Sequence, residues 1–126
     1  MEKWCAFNKL KVNIELIDYF IGGNQELKIF FEDGKKSKWM LEFDWIWDFR
    51  YAIENAFIGR CCDIRNQKDA YSSIYVVNNS EYIKYFEKQV SGTRPVEDLM
   101  HFLIFDKIDT GLEVLAVKEP VLHEIV

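Results

Sequence analysis

Histidine and proline occur only twice each among 126 residues, and cysteine three times. Cys5, Cys61 and Cys62 leave an odd thiol in any internal pairing. Adjacent cysteines bridge each other only with unusual backbone strain, so a disulfide scaffold does not fit. Zinc also lacks its usual spacing: there is no C-x-x-C and no H-x-x-x-H, and only His101 and His123 could supplement the thiols. The cysteines read as reduced, small apolar side chains. No P-loop, G-x-G-x-x-G or G-x-S-x-G occurs, which removes the commonest nucleotide and hydrolase signatures, and no cofactor is implied. No apolar run reaches the roughly 18 to 20 residues of a membrane-spanning helix, and Met1-Glu2-Lys3-Trp4 does not open the long apolar stretch of a secretion signal. A cytoplasmic chain without a membrane partner is the expectation. A basic excess is lacking too: 16 Lys and Arg stand against 21 Asp and Glu, for a net charge of -5. The one dense basic cluster is Lys35, Lys36 and Lys38 in a predicted turn, so no nucleic-acid partner is expected.

What is present is the composition of one folded domain, residues 1–126, with 49% hydrophobic and 29% charged residues. From Leu10 to Phe20 apolar residues fall on even positions, Leu10, Val12, Ile14, Leu16 and Phe20, the period of a half-buried strand. Gly22-Gly23-Asn24 interrupts it. Leu27, Ile29 and Phe31 begin a second strand that ends at Asp33-Gly34, and Trp39, Leu41, Phe43 and Trp45 share one face of a third. Near Asp48 the period changes. Phe49, Ala52, Ile53 and Ala56 follow helical spacing, with Asp44 or Asp48 as cap, Gly59 as stop, and Arg50 and Glu54 paired on the flank.

Arg60 to Ser72 reads as a loop, Ser73 to Asn78 as a short strand covered on both faces, and Ser80 as the N-cap of a second helix with Ile83, Phe86 and Val90 on its buried stripe. Gly92 stops that helix. His101–Phe105 and Leu112–Val117 form a closing hairpin, and the tail after Pro120 is apolar enough to dock. The order β-β-β-α-β-α-β-β predicts the α+β class: a largely antiparallel sheet with two helices mainly on one face.

Catalytic candidates are few. Cys61 or Cys62 with His101 or His123 and Asp106 would be needed for a thiol nucleophile, and nothing in the spacing joins them. His101, at the mouth of an apolar strand, reads as a hydrogen-bonded structural histidine. The aromatic content, 16%, is more informative. Trp45, Trp47, Tyr51, Tyr71, Tyr82 and Tyr85 have parity or helical phase that permits exposure, and Trp and Tyr are favoured interface anchors.

Three segments carry a resemblance: Trp47 to Ala56, Ser80 to Phe86 running into Ser91-Gly92-Thr93-Arg94-Pro95, and Phe105-Asp106 through Asp109-Thr110-Gly111 to Leu115. Together they resemble a group of small, uncharacterised cytosolic proteins of bacilli and related bacteria, some of which look like immunity partners of polymorphic toxins. The resemblance implies a stoichiometric, non-enzymatic inhibitor that occludes a toxin domain. Charge fits it: Gln67 to Val126 holds 6 basic and 10 acidic residues, so a basic, nuclease-like protein partner would be steered in. Glu97, Asp98, Asp106, Asp109 and Glu113 are the expected partner-binding residues, with the chain a monomer or homodimer. The alternatives are a small-ligand or regulatory domain with an apolar pocket between sheet and helices, an enzyme using Cys61 or Cys62, and a homo-oligomer packed through exposed rings.

Overall fold

The computed structural model describes residues 2–53, 72–90, 98–108 and 110–126. Among these residues lie nine strands and one helix: β1 Lys3–Ala6, β2 Ile14–Gly23, β3 Glu26–Asp33, β4 Lys38–Asp44, β5 Ile46–Ile53, β6 Ile74–Asn78, α1 Glu81–Gln89, β7 Met100–Phe105, β8 Thr110–Ala116 and β9 Val121–Ile125. They form two sheets, ordered β1-β6-β7-β8-β5 and β2-β3-β4-β9, and every pairing is antiparallel. The largely antiparallel character agrees with expectation. One sheet carrying two helices is corrected to two sheets and one described helix.

The alternation in β3 and β4 works as read through Phe43, while Trp45, expected on the same face, lies beyond β4 and is exposed. Leu27, Ile29, Phe31, Leu41 and Phe43 point inward and are fully buried. Across the gap they meet Ile74, Phe102, Ile104, Leu112 and Val114 of the first sheet in one core. Phe43 and Phe102 join the sheets edge to face, with ring centroids 5.4 Å apart. Each large side chain sealed here contributes about 1.5–3 kcal/mol against exposure.

One expectation fails through β-bulges. In β2 the register shifts between Ile14 and Leu16 and again between Ile17 and Tyr19. The first shift turns Leu16 outward and Ile17 inward; the second restores the even parity, so Tyr19 faces out and Phe20 packs against the core, because each extra residue flips the parity of the rest of the strand. Gly22 and Gly23 stay within the strand, and the turn is Asn24–Gln25, both at positive φ, 52° and 61°, the twist that a two-residue hairpin favours.

The expected first helix is instead β5 over residues 46–53. After a bulge between Ile46 and Asp48, every residue from Asp48 to Ile53 pairs with β8, so the Phe49, Ala52 and Ile53 spacing that suggested a helix sits within a strand. Trp, Ile, Phe and Tyr crowding also favours a strand there. Glu54, Ala56 and Gly59, which completed that helix, lie outside the described residues, as do the loop residues 60–71 and Gly92.

The chain changes sheets at Trp45, an exposed Trp held at φ 55°. Asp44 Oδ1 accepts from its N–H at 3.0 Å, and the Ile46 N–H donates to the Gln25 carbonyl at 2.9 Å. Beyond the hairpin of β7 and β8, Pro120 leads into β9, so the tail docks along β4. Strand β1, unforeseen in the sequence, pairs with β6. No helix among the described residues is long and apolar enough to cross a membrane.

Candidate functional site

Of the five carboxylates singled out in the sequence, the three that are described do not gather on one exposed surface. Glu97 and Asp109 lie outside the described residues, and Asp98 is exposed at φ 59°. Asp106 is buried and stitches the sheets together. Its Oδ1 accepts from the N–H groups of Ile108 and Thr110, at 3.0 and 2.9 Å, closing the β7–β8 loop. Its Oδ2 accepts from Ile17 N–H of β2 at 3.0 Å. Glu113 is buried beneath α1, as part of a second network.

That network begins where β6 ends. Asn79, at φ 55°, turns the chain, and Ser80 caps α1 with its Oγ accepting from Ile83 N–H at 3.0 Å. The same Oγ lies 2.7 Å from His101 Nδ1, and His101 Nε2 lies 2.9 Å from Glu113 Oε1. In the neutral tautomer that donates its Nε2–H to the Glu113 carboxylate, Nδ1 accepts from the Ser80 O–H.

Around this line the sheet and helix interlock. Tyr82 stands edge-on to His101, with centroids 5.2 Å apart, and its O–H donates to Asp48 Oδ2 at 2.8 Å. Burial and the neighbouring Asp48 carboxylate hold the Tyr82 phenol far above the ordinary phenol range. The Arg50 guanidinium lies 3.7 Å from the centre of the Tyr82 ring, and Trp47 packs on Phe86 with centroids 6.2 Å apart.

Serine, histidine and glutamate in this order have the composition of a nucleophile relay. Reach decides against that use: Ser80 is 5% exposed, His101 0% and Glu113 4%. The Ser80 oxygen is also engaged in capping. The network fastens α1 to the outer face of the first sheet. His101 thus keeps the structural role expected of it, with Ser80 and Glu113 as partners that sequence reasoning missed. A signal existed. The register of the β7–β8 hairpin sets His101 opposite Leu115 and Leu103 opposite Glu113, which makes residues 101 and 113 diagonal neighbours on one face. Cys61 and Cys62 lie outside the described residues; Cys5 is a half-buried free thiol. Among the described residues no three His, Cys, Asp or Glu side chains gather as a metal would require.

The outer face of the second sheet differs in kind. Register lines up three rows across its four strands: Tyr19–Phe30–Met40–His123, then Ile21–Lys28–Glu42–Val121 on one side and Leu16–Glu32–Lys38–Ile125 on the other. Gly23, Glu26 and Asp44 form a shorter end row. Tyr19 and Phe30 stack, with centroids 4.5 Å apart and planes 15° from parallel. Tyr19, Ile21 and Val121 are each more than half exposed.

Lys38 is shared between Asp18 at 3.0 Å and Glu32 at 2.9 Å; these carboxylates raise its pKa above the ordinary lysine value. Lys28 and His123 approach Glu42 at 3.9 and 3.4 Å. Of the aromatic residues for which exposure was expected, Trp45, Tyr51 and Tyr85 are exposed, Trp47 is half-buried, Tyr82 is buried, and Tyr71 lies outside the described residues. No protein-family model, no curated protein and no solved structure matches this chain.

Proposed function

We propose that this chain is a non-enzymatic protein-binding module, an immunity-type inhibitor that silences a basic, nuclease-like toxin domain by occluding it. One observation carries the reading: among the described residues, Ser80, His101, Glu113 and Asp106 are turned inward and hydrogen-bonded within the fold, while apolar and aromatic side chains lie together on an open sheet face. Ser80, His101, Glu113 and Asp106 hold the fold together. Tyr19, Phe30, Ile21 and Val121 line a face that nothing in the chain's described residues covers. An aromatic strip among charges is the make-up of a recognition surface. The net charge of -5 complements a toxin whose Lys and Arg side chains hold phosphate. Binding by occlusion needs no catalytic group.

The test is an inhibition titration. A basic toxin domain, sought in the reading frame beside this chain's gene, is assayed for nucleic-acid cleavage as the purified chain is added. Activity ends at one chain per toxin, and association slows as ionic strength rises. Turnover of a substrate by the chain alone, abolished in Ser80→Ala or His101→Ala, would overturn the reading.

A further inference from the structure

Resting on the protein-binding reading, we infer that the outer face of β2, β3, β4 and β9 is the docking surface. Its occupant is a basic protein surface that lays apolar side chains along the Tyr19–Phe30–Met40 row and directs cationic ones to Glu26 and Asp44. The face is not neutral. Asp18, Glu26, Glu32, Glu42 and Asp44 stand on it against Lys28 and Lys38, five carboxylates to two ammonium groups.

The two lysines are already engaged, Lys38 with Asp18 and Glu32, and Lys28 with Glu42. That leaves the excess at the end row, where Glu26 and Asp44 are exposed and directly opposite in register. Like charges placed so destabilise a sheet unless a cation joins them. The apolar row supplies area for a partner, and the end row supplies orientation.

The same arithmetic argues against a second copy. A two-fold interface would set this negative face against itself, and like-charge juxtaposition penalises the wrong partner.

The experiment labels methionine methyl groups with carbon-13 in the full chain. Met40 sits at the centre of the face, and Met100, half-buried at the start of β7, packs against the inter-sheet core and serves as the internal control. The probe is a synthetic peptide alternating Arg and Leu, with a Glu and Leu peptide as control. The Met40 signal is expected to shift with the basic peptide alone while Met100 stays. Affinity should fall with added salt and drop about tenfold in the Glu26→Gln, Asp44→Asn double variant, as two exposed charge contacts would give.

A response at Met100 rather than Met40, an equal response to the acidic peptide, or no loss in the double variant would overturn the inference. So would Met40 broadening with chain concentration alone, which would mean that a second copy covers the face. A toxin that is inhibited without moving Met40 removes this surface and leaves the inhibitor reading intact. A Met40 response with no toxin inhibited removes the inhibitor reading and leaves the surface.

Discussion

Truncating Ser80 to alanine removes one oxygen that serves two buried bonds, so its effect should exceed that of an ordinary cap. Loss of an N-cap hydroxyl costs about 1 kcal/mol. His101 Nδ1, buried and deprived of its hydrogen-bond partner, adds about 1–3 kcal/mol. Ser80→Ala should therefore lose about 3 kcal/mol, a large share of the roughly 5–15 kcal/mol that holds a domain together. His101→Leu removes the donor that Glu113 receives at 2.9 Å and should cost about 3–5 kcal/mol, the scale for breaking into a buried charged network. The two sites share a bond of 2.7 Å, so the double variant should be less destabilised than the two singles added, with a coupling of about 1 kcal/mol or more. Urea unfolding followed by tryptophan fluorescence measures all three, provided the slope stays constant so that midpoints report stability. Two results would refute the reasoning. One is Ser80→Ala within about 0.5 kcal/mol of the parent chain, the size of an ordinary surface change. The other is strict additivity, which would mean that Ser80 and His101 do not act through each other.

Separate parts of the fold give further expected outcomes. A Cβ at Gly22 would lie 3.1 Å from the Phe49 ring, whereas one at Gly23 meets nothing within 4 Å; Gly22→Ala should cost about 1 kcal/mol, and Gly23→Ala should be neutral or mildly stabilising, as thermal melts will show. Trp45 is exposed and held at φ 55°, so Trp45→Asn should raise stability by about 1 kcal/mol, and a loss would mean that the ring packs in solution.

Asp33 accepts from Trp39 Nε1 and from the N–H groups of Lys35 and Ser37, and these bonds, the Trp39 one foremost, hold its pKa below the ordinary value of 3.8. A lowered folded pKa means stability present above the unfolded value and lost as pH falls through the folded one, so the gap in melting temperature between the parent and Asp33→Asn should close in acid below the carboxylate range. Ile21→Lys and Val121→Lys, at side chains more than half exposed, should leave stability within about 0.5 kcal/mol at every protein concentration; a concentration-dependent drop would show that a second copy covers them.

The parts of this fold legible in advance are those written in neighbouring residues. Leu27, Ile29 and Phe31 alternate without interruption, and β3 lies where that alternation puts it. Ser80 is recognisable as a cap because its partner, Ile83 N–H, is three residues away. The β7–β8 hairpin shows itself as two apolar runs around a polar turn. What escaped was either displaced by a bulge or made by distant partners. Phe49, Ala52 and Ile53 carry helical spacing inside a strand that pairs regularly with β8, and the first bulge in β2 turned Leu16 outward and Ile17 inward. Nothing local to Lys3–Ala6 announces its pairing with β6, nor Val121–Ile125 its place beside β4. The Ser80–His101–Glu113 line joins a cap, a strand and that strand's neighbour, so it exists only once register is set. Asp106 and Glu113 read as surface carboxylates because acidic residues are mostly exposed; their burial follows from backbone N–H groups and an imidazole that burial itself brings within reach.

The two sheets have opposite relations to water. The first is buried on both faces near its centre: Phe102, Ile104 and Val114 face the core, and on the other side Leu103 and Phe105 join Trp4, Tyr75 and Val77 while His101 and Glu113 meet α1. The second has a buried face and an open one, and on the open face exposed apolar side chains reach both edge strands. Edge strands ordinarily carry charged side chains that discourage chance pairing. Here the edges β2 and β9 present Leu16, Tyr19, Ile21, Val121 and Ile125 outward beside Asp18 and His123, and the central strands β3 and β4 carry Lys28, Glu32, Lys38 and Glu42 on either side of Phe30 and Met40. Burial inside the chain cannot explain that pattern, since these edge residues are exposed. On the docking reading proposed above, a partner that straddles the whole face would make apolar contact at both margins and direct basic groups to Glu26 and Asp44 at the end row.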